Sequence, residues 1–238
     1  MAEASKEPEY KLYYWPGFPG RGEYMRLMFA ETQTPYIEVF EGKSREEAIK
    51  MGYGKGKKHF AFPVLEHGDM YISQSSVINR YLGKKLDGGQ LYPKTEKDRW
   101  QAEMIMGGVD GVVEEGIRAW HAIDANASYY DQKEATQPFI EYYKTKRLPK
   151  WLDFFEKILR DNYEKTGKLV CVGNEVSWVD FCVFHAIDGN LFECPEVFEK
   201  EPTEYIKKFH TSIRERPNIK TYLNSEKRNK FTHTGPIV

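Results

Sequence analysis

Cysteine is scarce in this 238-residue chain: Cys171, Cys182 and Cys194 are the only three, all in its last third. They form neither a CxxC pair nor a metal-ligand spacing, so no metal centre is expected and a reducing compartment is the default. Long apolar runs are absent too, and no segment approaches the ~20 apolar residues that span a bilayer. The first ten residues, MAEASKEPEY, lack the apolar core of a secretory signal. The expected location is therefore the cytoplasm, with no membrane partner. Thirty-five basic residues against 36 acidic ones leave a net charge of -1, so no global field favours nucleic acid. Serine is missing between Ser5 and Ser44, and tryptophan between Trp15 and Trp100.

Apolar residues at 40% and charged ones at 30% make a globular balance, and the length suits one large domain or two modest ones. The most informative stretch is His59–Leu82, HFAFPVLEHGDMYISQSSVINRYL. It reads as strand (Phe62–Leu65), turn (His67-Gly68-Asp69), strand (Met70–Ile72) and helix. In the helix Val77, Ile78, Tyr81 and Leu82 fall at helical spacing behind the capping residues Ser75 and Ser76. Pro63 opens a strand, where it removes a ladder donor and where a cis peptide would turn backbone groups outward for a ligand. Gln74 and Ser75 lie where a strand feeds a helix N-terminus, so amide, hydroxyl and unpaired N–H groups converge into a carboxylate site. The plainer alternative is a hairpin followed by a capped helix.

Residues 1–9 read as a flexible leader. Tyr10–Trp15 is strand-like and runs into the Gly/Pro-dense loop Pro16–Gly22. Glu23–Thr32 is helical, Tyr36–Phe40 a strand, Lys43–Lys50 a short helix and Met51–Lys58 a Gly/Lys-rich loop. The order β-α-β, connecting segment, β-β-α over residues 10–86 is that of a thioredoxin-like α/β domain. A linker at 87–95 follows, and residues 96–238 read as an all-α domain. Helices are expected over Glu96–Ile123, Gln132–Thr145, Leu148–Asn162, Trp178–Asn190, Pro202–Glu215 and Asn218–Ser225, with Leu169–Val172 the one strand-like run. Ser177 and Asp180 form a capping box, flanked by a Val176–Phe181 staple.

A thioredoxin-like domain suggests redox work, which needs a low-pKa thiolate at the first helix. The cysteine positions exclude it, and the gap in serine excludes a serine at the same place. Tyr13 and Tyr14 remain; adjacent strand residues point to opposite faces, so only one can face a site.

At this point the sequence resembles the cytosolic glutathione transferases over nearly its whole length, nearest in motif to the sigma, pi and mu classes. The features that carry this are KLYYW, the Arg-Gly and Met-Arg-Leu of the first helix, Pro63, QSSVINRYL, GNEVSWVDF and RERPNIKTYL. The resemblance implies a dimeric, cytoplasmic detoxification enzyme that joins glutathione, a co-substrate rather than a cofactor, to a small hydrophobic electrophile. It assigns the thiol to Tyr14 and its surroundings to Arg21. The cysteinyl part goes to Phe62 and Pro63, and the γ-glutamyl carboxylate to Gln74 and Ser75. Asp110 is assigned the γ-glutamyl amine, usually across a dimer interface. Lys50, Lys55, Lys57 and Lys58 are candidates for the glycyl carboxylate, Lys58 preferred. Trp120, His121, Tyr129 and Tyr130 are expected to wall the electrophile pocket. Isomerase or peroxidase chemistry on the same thiolate, or a non-catalytic binding protein, are the alternatives.

Overall fold

A computed structural model describes residues 8–53, 58–125 and 127–237. The leader therefore lies mostly outside the described residues, as do Lys55 and Lys57. The first half is built on strands β1 (Tyr10–Tyr13), β2 (Tyr36–Glu38), β3 (Val64–His67) and β4 (Met70–Ser73). Their order is β2-β1-β3-β4, with β1 and β2 parallel and the other pairs antiparallel. Helices α1 (Glu23–Glu31), α2 (Arg45–Gly52) and α3 (Ser75–Lys85) accompany the sheet.

Strand alternation sends side chains to two faces. Leu12 and Leu65 are paired across β1 and β3 and join Leu27, Met28, Ile78 and Leu82 in the main core. Tyr13 and Val64, the next pair along, belong to a second cluster with Phe40, Ala48 and Phe62 on the side of α2. The short helix starts two residues later than its expected onset, at Arg45. Ser44 Oγ accepts the Glu47 N–H while the Glu47 carboxylate accepts the Ser44 N–H, a reciprocal cap that fixes the start. The second strand stops at Glu38, and Phe40 turns into the core instead of extending it.

The second half is helical: α4 (Glu96–Trp120), α5 (Tyr129–Tyr142), α6 (Leu148–Thr166), α7 (Trp178–Glu193), α8 (Pro195–Lys200), α9 (Glu204–Arg214) and α10 (Pro217–Leu223). Helix α7 is buried on nearly all sides from Trp178 to Asn190 and packs on α1, α3, α4 and α9, so it is the axis joining the halves. A π-helical turn at Tyr143–Arg147 connects α5 to α6, where the pattern suggested a helix from Gln132 to Thr145. Pro195–Lys200 is a separate helix that the apolar periodicity did not reveal.

Leu169–Val172 is not a strand. This segment is tied instead by the Cys171 N–H, which donates to Asp180 Oδ1 at 2.7 Å, so a buried carboxylate replaces a neighbouring strand as its partner. Asp180 Oδ2 also accepts the Ser177 N–H at 2.8 Å and the Ser177 hydroxyl at 2.9 Å, which gives the capping box at Ser177 its geometry.

Ser177→Ala removes one of these bonds and should cost about 0.5–2 kcal/mol. Asp180→Ala strands two buried N–H groups and should cost more, about 2–6 kcal/mol. Urea denaturation of both variants checks the ranking; equal losses would mean that Asp180 is not the centre of the motif.

Candidate active site

Three strands end side by side. Tyr13 is opposite Val64, and Val64 is opposite Ser73. One residue beyond each, at the same edge of the sheet, are Tyr14, Pro63 and Gln74. With strands ~4.8 Å apart, Tyr14 and Gln74 are separated by about 10 Å, the length of an extended tripeptide.

Tyr13 and Tyr14 share one buried cluster, but their hydroxyls go to different partners. The Tyr13 hydroxyl donates to Glu66 Oε2 at 2.7 Å, and the ring packs edge-on against Phe40. Tyr14 lies under the turn Gly20–Gly22, and its hydroxyl accepts the Arg21 backbone N–H at 2.9 Å. Gly20 has φ +41°, and a Cβ there would run into Tyr14 Oη, while one at Gly22 would meet the Tyr14 ring. Only glycine lets the turn close this far over the phenol. Burial pushes the Tyr14 pKa up, opposed by the Arg21 and Gly22 N–H groups and by the Arg26 and Arg21 charges. The phenol therefore stays protonated at neutral pH and keeps its own hydrogen to donate.

The turn is held by Arg26, which is buried in α1. Its Nε and Nη2 bond the two Glu38 oxygens at 2.9 and 2.8 Å, and its Nη1 donates to the carbonyls of Pro19 at 3.0 Å and Phe18 at 3.2 Å. The guanidinium also lies 5.5 Å from the Tyr14 ring centroid. The Arg21 side chain leaves this cluster for α4, where Nη2 meets Glu114 Oε2 at 3.2 Å. Asp110, one turn earlier on α4, shares the same charge: burial pushes its carboxyl up, Arg21 pulls it down and Glu114 raises it. Glu114 was missed in the sequence, where the Glu114-Glu115 pair gave no sign of which residue faces the site.

Phe62-Pro63 is a cis peptide. The Phe62 ring is buried between Trp15, 4.9 Å away, and Phe40, 5.2 Å away, so it anchors the segment. At α3 the sequence expectation needs correction. The N-cap residue is Gln74, without a side-chain cap bond, and Ser75 already belongs to the helix. Gln74 has φ 73° and ψ 116°, a conformation costly for a residue with a Cβ, of the kind that persists where the surroundings impose it. The Val77 and Ile78 N–H groups both return to the Gln74 carbonyl, which leaves the N–H groups of Ser75 and Ser76 as the open end of the helix.

The remaining expected residues are more scattered. Lys58 is exposed, and Lys50 is paired with Glu46 at 2.8 Å. Trp120 is buried edge-on to Tyr143, about 15 Å along α4 from Asp110. His121 faces the carbonyls of Ala127 and Thr234 at 3.1 Å each. Tyr129 is buried and Tyr130 exposed. Among the described residues no group of three or more His, Cys, Asp or Glu side chains could hold a metal, and no helix is long and apolar enough to cross a membrane.

The chain is similar to known proteins. Residues 119–226 match the family profile "Glutathione S-transferase, C-terminal domain". A Glutathione S-transferase P of Caenorhabditis elegans is 30% identical over 216 residues, covering 90% of this chain and 91% of its own length. A glutathione S-transferase of Plasmodium falciparum is 28% identical over 225 residues, covering 92% and 97%. The solved pi-class glutathione S-transferase of Onchocerca volvulus superposes with a TM-score of 0.70 at 25% identity, covering 90% of this chain and 91% of that one.

Arg26→Leu would leave Glu23 and Glu38 short of their buried cation and free the Phe18 and Pro19 carbonyls. It should cost about 3–5 kcal/mol of stability. Thermal denaturation checks this; a loss below 1 kcal/mol would show that the turn is held by something else.

Proposed function

The chain belongs to the glutathione S-transferase family, and we propose that Tyr14 is the residue with which it activates glutathione. The observation that carries this reading is the alignment of Tyr14, Pro63 and Gln74 at one sheet edge, the span of a tripeptide. In this assignment the γ-glutamyl carboxylate binds the open N–H groups of Ser75 and Ser76 at the α3 N-terminus, where the helix dipole favours an anion, with Gln74 alongside. The cysteinyl backbone runs past Phe62 and Pro63, and its sulfur reaches the Tyr14 hydroxyl. Asp110 is assigned to the γ-glutamyl amine and the exposed Lys58 to the glycyl carboxylate.

The chemistry then needs a proton lost, not a base. A thiol with pKa ~8.5 is mostly protonated at pH 7, and lowering it by two units is worth roughly 2.7 kcal/mol. The Tyr14 phenol, polarised by the Arg21 N–H on its oxygen, donates its own O–H to the sulfur and favours the thiolate. The thiol proton goes to solvent. The thiolate attacks the electrophilic carbon, the carbon–sulfur bond forms, and the leaving group departs with its electron pair. A small hydrophobic electrophile is proposed to approach from the side of α4 and α5, where Tyr130 is the member of the aromatic set Trp120, His121, Tyr129 and Tyr130 with an open ring. Detoxifying conjugation in the cytoplasm is the physiological role this chemistry fits.

Tyr14→Phe should lower kcat/KM for conjugation of an aryl halide about 10–100-fold at neutral pH, recovering as pH rises toward the free thiol pKa. Undiminished turnover in this variant would remove Tyr14 from its role and turn attention to Arg21.

We further propose a homodimer. Phe60 is 90% exposed, Trp100 and Met104 share one face of α4, and Phe139 and Tyr142 one face of α5, surfaces that favour a partner over water. Sedimentation should find a particle of twice 27.9 kDa, and Phe60→Ser should shift it toward monomer on dilution. A monomer at every concentration would contradict the assignment.

A further inference from the structure

Two cavities beside β2 include none of Tyr14, Pro63, Gln74 or Ser75 in their walls and have no place in the chemistry above. The larger, about 510 Å³, lies between the end of α1, the start of β2 and α10. The smaller, about 180 Å³, runs on past Glu38 to Glu41 and Gly42. They share the wall residues Arg26, Tyr36 and Lys227, so the two adjoin.

The larger chamber is aromatic. Phe29 and Tyr36 stack with centroids 4.4 Å apart at 15°, and Ala30, Pro35 and Tyr222 extend the apolar surface. Two hydroxyls in its wall are already committed: Thr221 Oγ1 donates to the Pro217 carbonyl at 2.9 Å and Ser225 Oγ to the Tyr222 carbonyl at 2.7 Å. Tyr222 differs. It is 8% exposed, and its hydroxyl has no hydrogen-bond partner among the described residues. A buried O–H without an acceptor costs stability, so this donor is left for an atom of an occupant.

Charge is sorted between the chambers. Among the described residues no acidic side chain lines the larger one, whereas Glu38, Glu41 and Glu226 line the smaller. Arg26 is committed to Glu38. Lys227 at the shared wall, and Glu41 and Glu226 beyond it, are exposed and have no ion-pair partner among the described residues. An occupant therefore meets an apolar chamber, then a cation, then two carboxylates. An apolar carboxylate would leave both acids unpaired, and an apolar amine would set its own charge against Lys227. A molecule with both charges on one carbon and an apolar body beside them satisfies all three.

We propose that the paired cavity binds an α-amino acid with a bulky, ring-bearing side chain, at a site separate from that of glutathione. The side chain fills the larger chamber against Phe29, Tyr36 and Tyr222, the carboxylate meets Lys227, and the ammonium meets Glu41 and Glu226. The larger volume is that of a small-molecule site. This site stands whether or not Tyr14 carries the thiol.

The test is calorimetric titration with O-benzyl-L-tyrosine, whose ether oxygen can accept from Tyr222, in saturating glutathione so that the active site is filled. N-acetylation of the probe, or replacement of its carboxylate by an amide, should each weaken binding about tenfold. In the double variant Glu41→Gln/Glu226→Gln the free and acetylated probes should bind alike, because the ammonium has lost its partners. Thr221→Trp, at an exposed wall position, should fill the chamber and abolish binding while the thermal midpoint and conjugation kcat hold. A probe that fails to bind wild type at millimolar concentration would overturn the proposal. So would wild type that binds the acetylated probe as tightly as the free one, since the carboxylates would then have no part. Binding that survives both Thr221→Trp and the double variant would place the probe elsewhere and overturn it equally.

Discussion

A buried guanidinium that has to be satisfied organises this active-site region. Arg26 is removed from water, and an unpaired charge there would be prohibitive. Its solution is to gather Glu38 from the neighbouring strand and the carbonyls of Phe18 and Pro19 from the loop after β1. That loop, rich in glycine and proline, has little regular structure of its own. Pinned by one arginine, it folds back over Tyr14 and delivers a backbone N–H to the phenol oxygen. The same cluster reaches the helical half through Glu23, Arg228 and Asp188, and Asp188 in turn accepts from His210 at 2.9 Å. One network of charges therefore fixes both the loop and the way the two halves meet.

Positioning by the sheet and electrostatics from the loop are separate contributions. Register sets where Tyr14, Pro63 and Gln74 stand, and a slip of one residue would send every side chain to the wrong face. The unusual backbone of Gln74 brings the start of α3 to that edge, so a helix N-terminus and a phenol stand at its two ends. Neither group is strongly reactive alone. The phenol is a weak acid made weaker by burial, and that suits a donor whose proton has to remain in place while it bonds a thiolate.

Much of this was written in local pattern. The alternating strands, the turn at Gly68 and the helix spacing of Val77 to Leu82 placed the hairpin and α3, and the absence of early cysteine excluded thiol exchange. The two tyrosines of KLYYW were separable in principle by alternation, but which face carried the site depended on a loop whose path is set by Arg26. Leu169–Val172 has the composition of a strand and none of the partners, because Asp180 takes its backbone first. The caps expected of Ser75 and Ser76 gave way to Gln74, whose positive φ no side-chain preference announces. The contacts of Glu114 with Arg21 and of Arg228 with Glu23 join residues roughly 90 to 210 positions apart, and no periodicity encodes such meetings.

The most direct test of the account is a crystal structure of the protein with glutathione bound. The sulfur should lie within about 3.5 Å of Tyr14 Oη, and the γ-glutamyl carboxylate should sit on the Ser75 and Ser76 N–H groups at the start of α3. A sulfur against Tyr13, or a peptide bound in the reverse direction with its thiol away from both tyrosines, would contradict it.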